Sequence, residues 1–300
     1  MFSILIPTYN YVCTRLVQEL ARQGEALQTE TDGHFRYEII VGDDGSTDKA
    51  SIQANRTVNT LSHCHYWMAE KNMGRAAIRN RLAEMATQPY LIYIDSDAET
   101  VDGDFLKRYR AAATQAQVVV GGVRNVDRLP SPSVSLRFRY EAAADRKRHA
   151  VQRAQAPYLQ FSAFNFLIER EQMLRIGFNE QCRHYGYEDA YLGMELARKQ
   201  ISILHIENPL IHLGLDSNET FLHKSETALR TLRSLDEAMR GHAAVSRLSD
   251  RMNQLHLRSA VCLFHRLFGR AIRRNLLGPR PSLFLFALYK LGYYTSLPDE

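Results

Sequence analysis

Two aspartates separated by a single serine follow the apolar stretch "LIYI". They are Asp95 and Asp97, and like charges this close repel each other unless a cation or water separates them. Mg²⁺ and Mn²⁺ prefer carboxylate oxygens and share their ligand shell with nucleotide phosphates. The pattern predicts either a metal-assisted phosphate site or a solvated loop after a strand, and D-x-D is too common to decide alone.

A second acidic pair lies in "GDDGSTD", again directly after an apolar run. Gly45 permits a tight turn, and Ser46 or Thr47 is expected to cap the helix that follows. A carboxylate of Asp43 or Asp44 could accept a hydrogen bond from a base N–H or a ribose hydroxyl. The alternative is an ordinary junction between a strand and a helix.

Two further segments combine charges with a helix start. Arg75 and Arg79, in "NMGRAAIRN", share one helix face, and a guanidinium beside a helix N-terminus suits phosphate. Glu188 and Asp189, in "YGYEDAYLGMEL", precede a helix, where a carboxylate near an acceptor hydroxyl can act as general base. The alternatives are a solvated helix face and acids favoured by the helix dipole.

The elements that would position these residues alternate along the first third of the chain. Short apolar runs separated by helical patterns predict a parallel sheet covered by helices on both faces. In such sheets the ligand crevice lies at the carboxyl ends of the strands, where Thr8 and Tyr9 join the two acidic pairs. The predicted strands are "FSILIP", "YEIIVGDD", "HCHYWMA" and "PYLIYID".

The order of these motifs resembles the successive signatures of family 2 glycosyltransferases. The resemblance covers roughly residues 1–215 and rests on "SILIPTYN", "VGDDGSTD", "NMGRAAIRN", "YIDSDAE" and "GYEDAYLGMEL". It implies the GT-A fold, an α/β fold with a mainly parallel sheet flanked by helices, and inverting transfer from a nucleotide sugar. We therefore expect a GT-A domain over 1–217 and a helical C-terminal region over 218–300.

The resemblance also implies roles on the nucleotide side of the site. The second acid of the D-D-G-S motif, Asp44, would contact uracil, and Arg79 would contact the base or a phosphate, although "AIRN" departs from the common "ARN". Asp95 would lie toward the ribose. The expected nucleotide-binding residues are Pro7, Thr8, Tyr9, Asp43, Asp44, Arg75, Arg79, Asp95 and Ser96.

Metal and base roles follow from the same resemblance. Asp97 would ligate Mn²⁺ or Mg²⁺, and His212, in "PLIHLG", would add a metal or diphosphate ligand. His205 is the rival, although the apolar run "ILHI" favours a buried core histidine there. Asp189 would be the general base, with Glu188 in support.

The acceptor side is less defined. Asn165, in "FSAFNF", is expected to face the acceptor, with a strand-edge amide as the alternative. Residues 137–153 are rich in arginine and lysine and predict a mobile lid or an acceptor-binding segment, with a solvated helix face as the alternative.

The C-terminal region combines basic helices with "SLFLFALYKLGYY", which Lys290 interrupts. It predicts either an amphipathic anchor on an anionic membrane surface or a helical subdomain that packs on protein, but no membrane crossing.

Composition narrows the setting. The net charge of +5 suits anionic partners, while arginines among Leu and Phe, without a known motif, argue against nucleic acid. The four cysteines are scattered, and the N-terminal stretch lacks the features of a signal peptide, so we expect reduced thiols and a cytoplasmic enzyme, peripheral on the inner membrane face.

The predicted function is transfer of a sugar from a UDP-sugar to a hydroxyl of a glycan or lipid-linked acceptor, in bacterial surface-polysaccharide assembly. One alternative is a sugar-phosphate nucleotidyltransferase, which the absence of glycine from "PTYNYVCTR" disfavours. Another is a non-catalytic nucleotide- or glycan-binding relative. Oligomerisation is left open.

Overall fold

A computed structural model of the chain describes residues 1–145, 147–180, 186–235, 240–241 and 243–298. The described residues form two compact units. The first comprises those within 1–124, 147–183 and 188–214, and the second those within 125–146, 184–187 and 215–300. The second unit begins again close to the expected boundary at residue 217, but it also includes the segment that begins at residue 125.

The first unit is built on a seven-stranded sheet in the order β3-β2-β1-β4-β8-β6-β9. Within it β8 alone runs antiparallel to its neighbours, so the expected mainly parallel sheet is confirmed. A smaller sheet has the order β5-β10-β7. The strands are β1 (Phe2–Thr8), β2 (Tyr37–Asp43), β3 (Cys64–Met68), β4 (Tyr90–Ile94), β5 (Ala98–Thr100), β6 (Val118–Val120), β7 (Val123–Asn125), β8 (Asn165–Glu169), β9 (Ile203–His205) and β10 (Leu210–His212).

Helices cover both faces of the larger sheet and make up most of the second unit. Short 3₁₀ turns occupy Thr57–Thr60 and Pro132–Val134. The α-helices are α1 (Thr14–Glu30), α2 (Lys49–Arg56), α3 (Arg75–Met85), α4 (Phe105–Ala112), α5 (Ser135–Asp145), α6 (Ala150–Arg153), α7 (Arg170–Ile176), α8 (Glu188–Arg198), α9 (Asn218–Ser234), α10 (Ala244–Gln254), α11 (Arg258–Leu276) and α12 (Leu283–Ser296).

Strand β1 is apolar on both faces because each face is covered. Ile4 and Ile6 belong to the core on the side of α1 and α4, and Leu5 belongs to the core on the side of α3. Successive side chains of a strand point to opposite faces. A central strand covered on both sides therefore reads as a continuous apolar run, and its carboxyl end is free to carry polar residues.

The turn after β2 differs from the expected capping pattern. Asp48, rather than Ser46 or Thr47, caps α2, because its carboxylate accepts hydrogen bonds from two N–H groups of the first helical turn. The Ser46 hydroxyl instead accepts from the Asn10 N–H at 2.7 Å. The prediction of a Ser46 or Thr47 cap is wrong, since the Ser46 side chain ties this turn to the loop after β1.

The second unit has its own apolar core. Phe286 and Tyr289 of α12 are buried in it together with Leu222 of α9 and Ile272 of α11. Much of "SLFLFALYKLGYY" is thus used for packing within this unit. Among the described residues, no helix is both long and apolar enough to cross a membrane.

The basic segment 137–153 is held by specific contacts rather than forming one solvated face. The guanidinium of Arg137 lies 4.8 Å from the ring centroid of Phe221 and pairs with Glu141. In the first unit, Arg153 is buried and donates to the carbonyl oxygens of Gly121 and Ile206 at 3.2 and 2.7 Å. Arg146, also counted in this segment, lies outside the described residues.

Candidate active site

The motifs converge on one region of the first unit. The loop after β1, the turn after β2 and the end of β4 lie at the carboxyl ends of adjacent parallel strands. The first turns of α3 and α8 bring basic and acidic side chains to the end of β4. Polar side chains from distant parts of the sequence thus meet at the expected edge of the sheet.

The two acids of "GDDG" are both buried and bind the backbone. Asp43 accepts from the Ser46 N–H at 2.7 Å and from the Tyr66 hydroxyl at 2.6 Å, which fixes the turn. Asp44 accepts from the Met73 and Gly74 N–H groups at 2.7 and 3.0 Å. Burial raises the pKa of Asp44, and these two hydrogen bonds partly offset that rise.

Asp44 thereby sets the loop that leads into α3. Each carboxylate oxygen has two lone pairs, so the side chain retains acceptor capacity beyond its bonds to the Met73 and Gly74 N–H groups. Gly45 is needed beside it: its φ is +71°, and a Cβ would lie 2.6 Å from the carbonyl carbon of Lys71.

Asn10 is a residue that the sequence reasoning missed. Its side-chain oxygen accepts from the Thr47 and Asp48 N–H groups at 2.8 and 2.9 Å, and its φ is +51°. This bond links the loop after β1 to the turn after β2. The tolerance of asparagine for a left-handed backbone was the available signal. Tyr9, next to it, is exposed with no part in the core.

The positive groups near the two aspartates of D-x-D come from the protein itself. Arg79 binds Asp95 at 2.5 Å and Arg75 binds the other oxygen of Asp95 at 3.1 Å. The same arginines approach Glu188, at 2.9 Å from Arg75 and 3.7 Å from Arg79. Asp95 and Glu188 are thus joined by two guanidinium groups, one of them almost fully buried.

This network changes the expected picture of the arginines. We expected Arg75 and Arg79 to point toward nucleotide base or phosphate, yet both are directed at Asp95 and Glu188. A guanidinium group that donates through different nitrogens to two carboxylates holds them in a fixed relation. The arrangement therefore connects the end of β4 to the start of α8, and Glu188 lies in the chain directly before the expected base.

The last acid of D-x-D has a different partner. Asp97 Oδ2 lies 3.2 Å from Nε2 of His212, which is itself buried. Burial would raise the pKa of Asp97, but His212 and the more distant Arg75 charge outweigh it, so the pKa is lowered. Gly214 packs directly on this carboxylate, because a Cβ there would lie 1.9 Å from Oδ2.

The Asp97–His212 pair fits a divalent cation in part. A carboxylate oxygen and an imidazole nitrogen are both ligands for Mn²⁺, with oxygen ligands preferred by Mg²⁺. Within the described ranges, no set of three or more His, Cys, Asp and Glu side chains is arranged to hold a metal. Donor phosphates and water would have to supply the remaining ligands.

Asp189 carries a carboxyl group with a raised pKa. Burial and the adjacent Glu188 charge raise its pKa to about 6, against the lowering effect of the Ala190 N–H and the two arginines. The Ala190 N–H donates to Oδ1 at 2.8 Å. A carboxyl of this pKa is mostly ionised near neutral pH and is more basic than an exposed aspartate.

Two other sequence candidates have structural roles. Asn165 is buried, donates to the Gly122 and Asn208 carbonyl oxygens at 3.0 and 2.8 Å, and accepts from the Tyr109 hydroxyl at 2.7 Å. The prediction that it faces an acceptor is wrong, since these bonds use its amide inside the fold. His205 is the expected core histidine, with Nε2 3.0 Å from the Pro157 carbonyl oxygen.

The sheet and its flanking helices are those of the GT-A fold, and comparison with known sequences identifies the family. Residues 3–174 match the sequence profile of Glycosyl transferase family 2. The chain therefore belongs to glycosyltransferase family 2. The matched range includes the β1, β2, α3 and β4 motifs and ends before Glu188 and Asp189.

Individual relatives are more distant. The chain is 27% identical over 223 residues to the validoxylamine A glucosyltransferase of Streptomyces hygroscopicus subsp. jinggangensis, covering 65% of this chain and 51% of that protein. It is 26% identical over 223 residues to the cholesterol galactosyltransferase of Borreliella burgdorferi, covering 66% of this chain and 59% of that protein. The alignments thus span little more than half of each relative.

Solved structures agree on the fold. The mannosyltransferase PcManGT of Pyrobaculum calidifontis, in complex with GDP-Man and Mn²⁺, aligns with a TM-score of 0.55 at 15% identity, covering 98% of this chain and 84% of that one. TarS of S. aureus, residues 1–349, aligns with a TM-score of 0.51 at 18% identity, covering 98% and 89%. At these identities the likeness concerns the fold alone.

Proposed function

We propose that the protein is an inverting glycosyltransferase that moves one sugar from a UDP-sugar to a hydroxyl of a glycan or lipid-linked acceptor. The observation that carries the proposal is Asp189, a carboxyl with a pKa of about 6 whose neighbour Glu188 is joined to Asp95 of D-x-D through Arg75 and Arg79. This arrangement connects a base to the edge of the sheet where family 2 enzymes hold the nucleotide.

In the proposed reaction, Asp189 takes the proton of the acceptor hydroxyl as the oxygen attacks the anomeric carbon. The bond from that carbon to the nucleoside diphosphate breaks as the new glycosidic bond forms on the opposite face, so configuration inverts. Positive charge at the sugar carbon in the transition state resembles that of glycoside hydrolysis. Arg75 and Arg79 pair with Glu188. Of the two adjacent acids, Asp189 is then the one that would accept the proton.

On the donor side, Asp44 would accept the uracil N–H and Tyr9 would lie against the base or ribose. Pro7, Thr8, Asp43, Ser96 and Asp95 would shape this pocket rather than contribute charge to the reaction, because the charge of Asp95 is already paired. The UDP assignment rests on Asp44 and is open to test against other nucleotides.

We further propose that Asp97 and His212 hold Mn²⁺ or Mg²⁺ together with donor phosphates. When bound, such an ion neutralises the charge that grows on the leaving diphosphate. The solved PcManGT complex contains Mn²⁺ with GDP-Man, which supports divalent metal use by the fold. With the ion bound, Asp97 and His212 would both bind it instead of each other.

The proposal also covers the acceptor and the location of the protein in the cell. Two relatives are named as a validoxylamine A glucosyltransferase and a cholesterol galactosyltransferase, and the second name is a precedent for a lipid acceptor. We propose a lipid-linked or glycan acceptor and a location at the inner face of the cytoplasmic membrane. The basic C-terminal helices, with a net chain charge of +5, support that location.

The test is calorimetric titration of UDP, GDP and dTDP into the protein, with Mn²⁺ and with EDTA, followed by transfer assays with UDP-sugars. We expect UDP to bind most tightly and only with metal, and product NMR to show an inverted anomeric centre. Asp97→Asn should lose the metal dependence, and Asp104→Asn, an exposed acid in the same unit, should not. Metal-independent binding, or a retained anomeric configuration, would contradict the proposal.

A further inference from the structure

Helix α11 of the second unit packs through one face. Gly269, Ile272 and Leu276 are buried on that face. The neighbouring helix α12 approaches closely at Gly292, where a Cβ would lie 2.7 Å from the imidazole of His265 on α11. One side of α11 therefore accounts for its place in the core of this unit, and the opposite side is not needed for that packing.

The opposite side of α11 is nevertheless apolar. Leu263, Leu267 and Phe268 are 55%, 64% and 50% exposed, and Phe264 is 39% exposed with its ring centroid 5.0 Å from that of Phe268. Residues three and four apart share a helix face, so these four side chains form one continuous surface, here called the α11 apolar face. Exposed apolar surface of this kind marks an interaction site.

A row of positive charge borders this face. Arg266, Arg270 and Arg274 are spaced four apart and all are exposed, so they lie side by side along one edge of the helix. Residues 251–298 contain eight Lys and Arg residues and no Asp or Glu. A partner for this surface has to be anionic and has to bury leucine and phenylalanine.

We propose that the α11 apolar face and its arginine row bind the surface of a bilayer that contains anionic lipid. Leucine and phenylalanine would enter the boundary between headgroups and acyl chains, and the guanidinium groups would stay at the lipid phosphates. A nucleic acid would satisfy the arginines but would not bury the apolar side chains. A second copy of the chain would bring the same positive charge against itself.

The α11 apolar face would place the proposed transferase at the membrane. The biological role of this binding rests on the proposed function, but the binding itself does not. Binding to vesicles requires neither a sugar donor nor turnover. Nucleotide titration and vesicle binding can therefore fail independently of each other.

The experiment is co-sedimentation of the full chain with vesicles of phosphatidylcholine alone and of phosphatidylcholine mixed with phosphatidylglycerol. We expect binding to the mixed vesicles that weakens with salt. Each basic residue near an anionic surface contributes about a fivefold factor in affinity, so the triple variant Arg266→Gln, Arg270→Gln, Arg274→Gln should lose on the order of 100-fold. Leu263→Ser with Leu267→Ser should lose at least about tenfold.

Matched controls lie in the first unit. Leu159→Ser with Leu174→Ser removes leucines that are 64% and 45% exposed. A triple change to Gln at exposed arginines outside the proposed surface removes the same charge from Arg36, Arg56 and Arg110. Both controls should keep vesicle binding within about threefold, less than the fivefold factor of one basic residue. All variants should keep the circular dichroism spectrum and the thermal unfolding midpoint of the unmodified chain, which report the folding of both units.

Three results would overturn the inference. The first is no binding to either kind of vesicle. The second is equal weakening by the control variants, which would mean that binding is diffuse rather than located on α11. The third is a dimer in sedimentation velocity that Leu263→Ser with Leu267→Ser converts to monomer, which would assign the face to a second copy of the chain.

Discussion

Replacing Glu188 by glutamine separates the electrostatic role of this residue from the chemistry of its neighbour. Glu188 raises the pKa of Asp189, although burial is the larger cause, and together they bring it from 3.8 to about 6. Glu188→Gln removes the negative charge and also releases Arg75 and Arg79 from one carboxylate. Both changes stabilise ionised Asp189, so its pKa should fall.

The sign of the effect on rate follows from the role of a base. With Asp189 as the proposed base, transfer would need its ionised form, so activity in the unmodified chain should be lost as the pH falls through about 6. Because Glu188 contributes less than burial does, the acidic limb in Glu188→Gln should move down by roughly half to one pH unit. Intrinsic basicity falls with pKa, so the plateau rate should drop as well, by about two- to tenfold.

The assay is the pH dependence of kcat/KM for transfer, with UDP affinity measured separately at each pH. Glu195→Gln is the matched control, since Glu195 lies on the same helix and pairs at 2.8 Å with the exposed Arg198; its limb should stay near that of the unmodified chain. Asp189→Asn should lower kcat by on the order of 10³ and leave UDP binding within twofold. An acidic limb that does not move in Glu188→Gln, or that survives in Asp189→Asn, would refute the assignment of the base.

Two other predictions concern the carboxylates of D-x-D. Gly214→Ala places a methyl group 1.9 Å from Oδ2 of Asp97 and should abolish the metal dependence of UDP binding in calorimetry, whereas Gly241→Ala, with no atom within 4 Å of the added carbon, should leave it intact. Arg79→Lys should lower the free energy of unfolding, measured by urea titration, by about 2 kcal/mol. The reason is that Arg79 is only 2% exposed and binds Asp95. Arg81→Lys, on the exposed face of the same helix, should change stability by less than about 0.5 kcal/mol, and an equal loss in both variants would remove the special role of Arg79.

The positions of the central strands were predictable because a sheet covered on both faces needs continuous apolar runs, which are easy to recognise in a sequence. Ile4, Leu5 and Ile6 form an unbroken run, and burial on both faces of the sheet is the reason for it. The direction of β8 was not predictable, since an apolar strand reads the same in either direction. Side-chain partners that lie 43 to 56 positions away, as those of Asn165 do, also leave no local pattern in the sequence.

The polar site was predicted as a set of residues but not as a set of pairs. Sequence placed Arg75 and Arg79 on one helix face, and both do lie together. It could not tell that their targets are Asp95 and Glu188, because the partner of a charge depends on tertiary distances of a few ångströms. The N-cap of α2 shows the same limit: Asp48 and Ser46 are equally suitable cap residues, and the contact of Ser46 with Asn10 decides between them.

The pairing of charges also explains how Asp95 and Asp97, with one residue between them, can have different roles. Arg75 and Arg79 carry two positive charges against the two negative charges of Asp95 and Glu188, and each arginine contacts both carboxylates. Two carboxylates stand outside this group. Asp97 is paired with His212 at 3.2 Å rather than with an arginine, and these two side chains are the proposed metal ligands. Asp189 keeps a pKa raised to about 6 by burial and by the Glu188 charge. A chain that paired all four acids with arginine would be more firmly held and would have neither a free ligand nor a base. The four acids therefore differ in their partners. This difference, rather than the number of acids, leaves one carboxylate for the proposed metal ion and one for the proposed base.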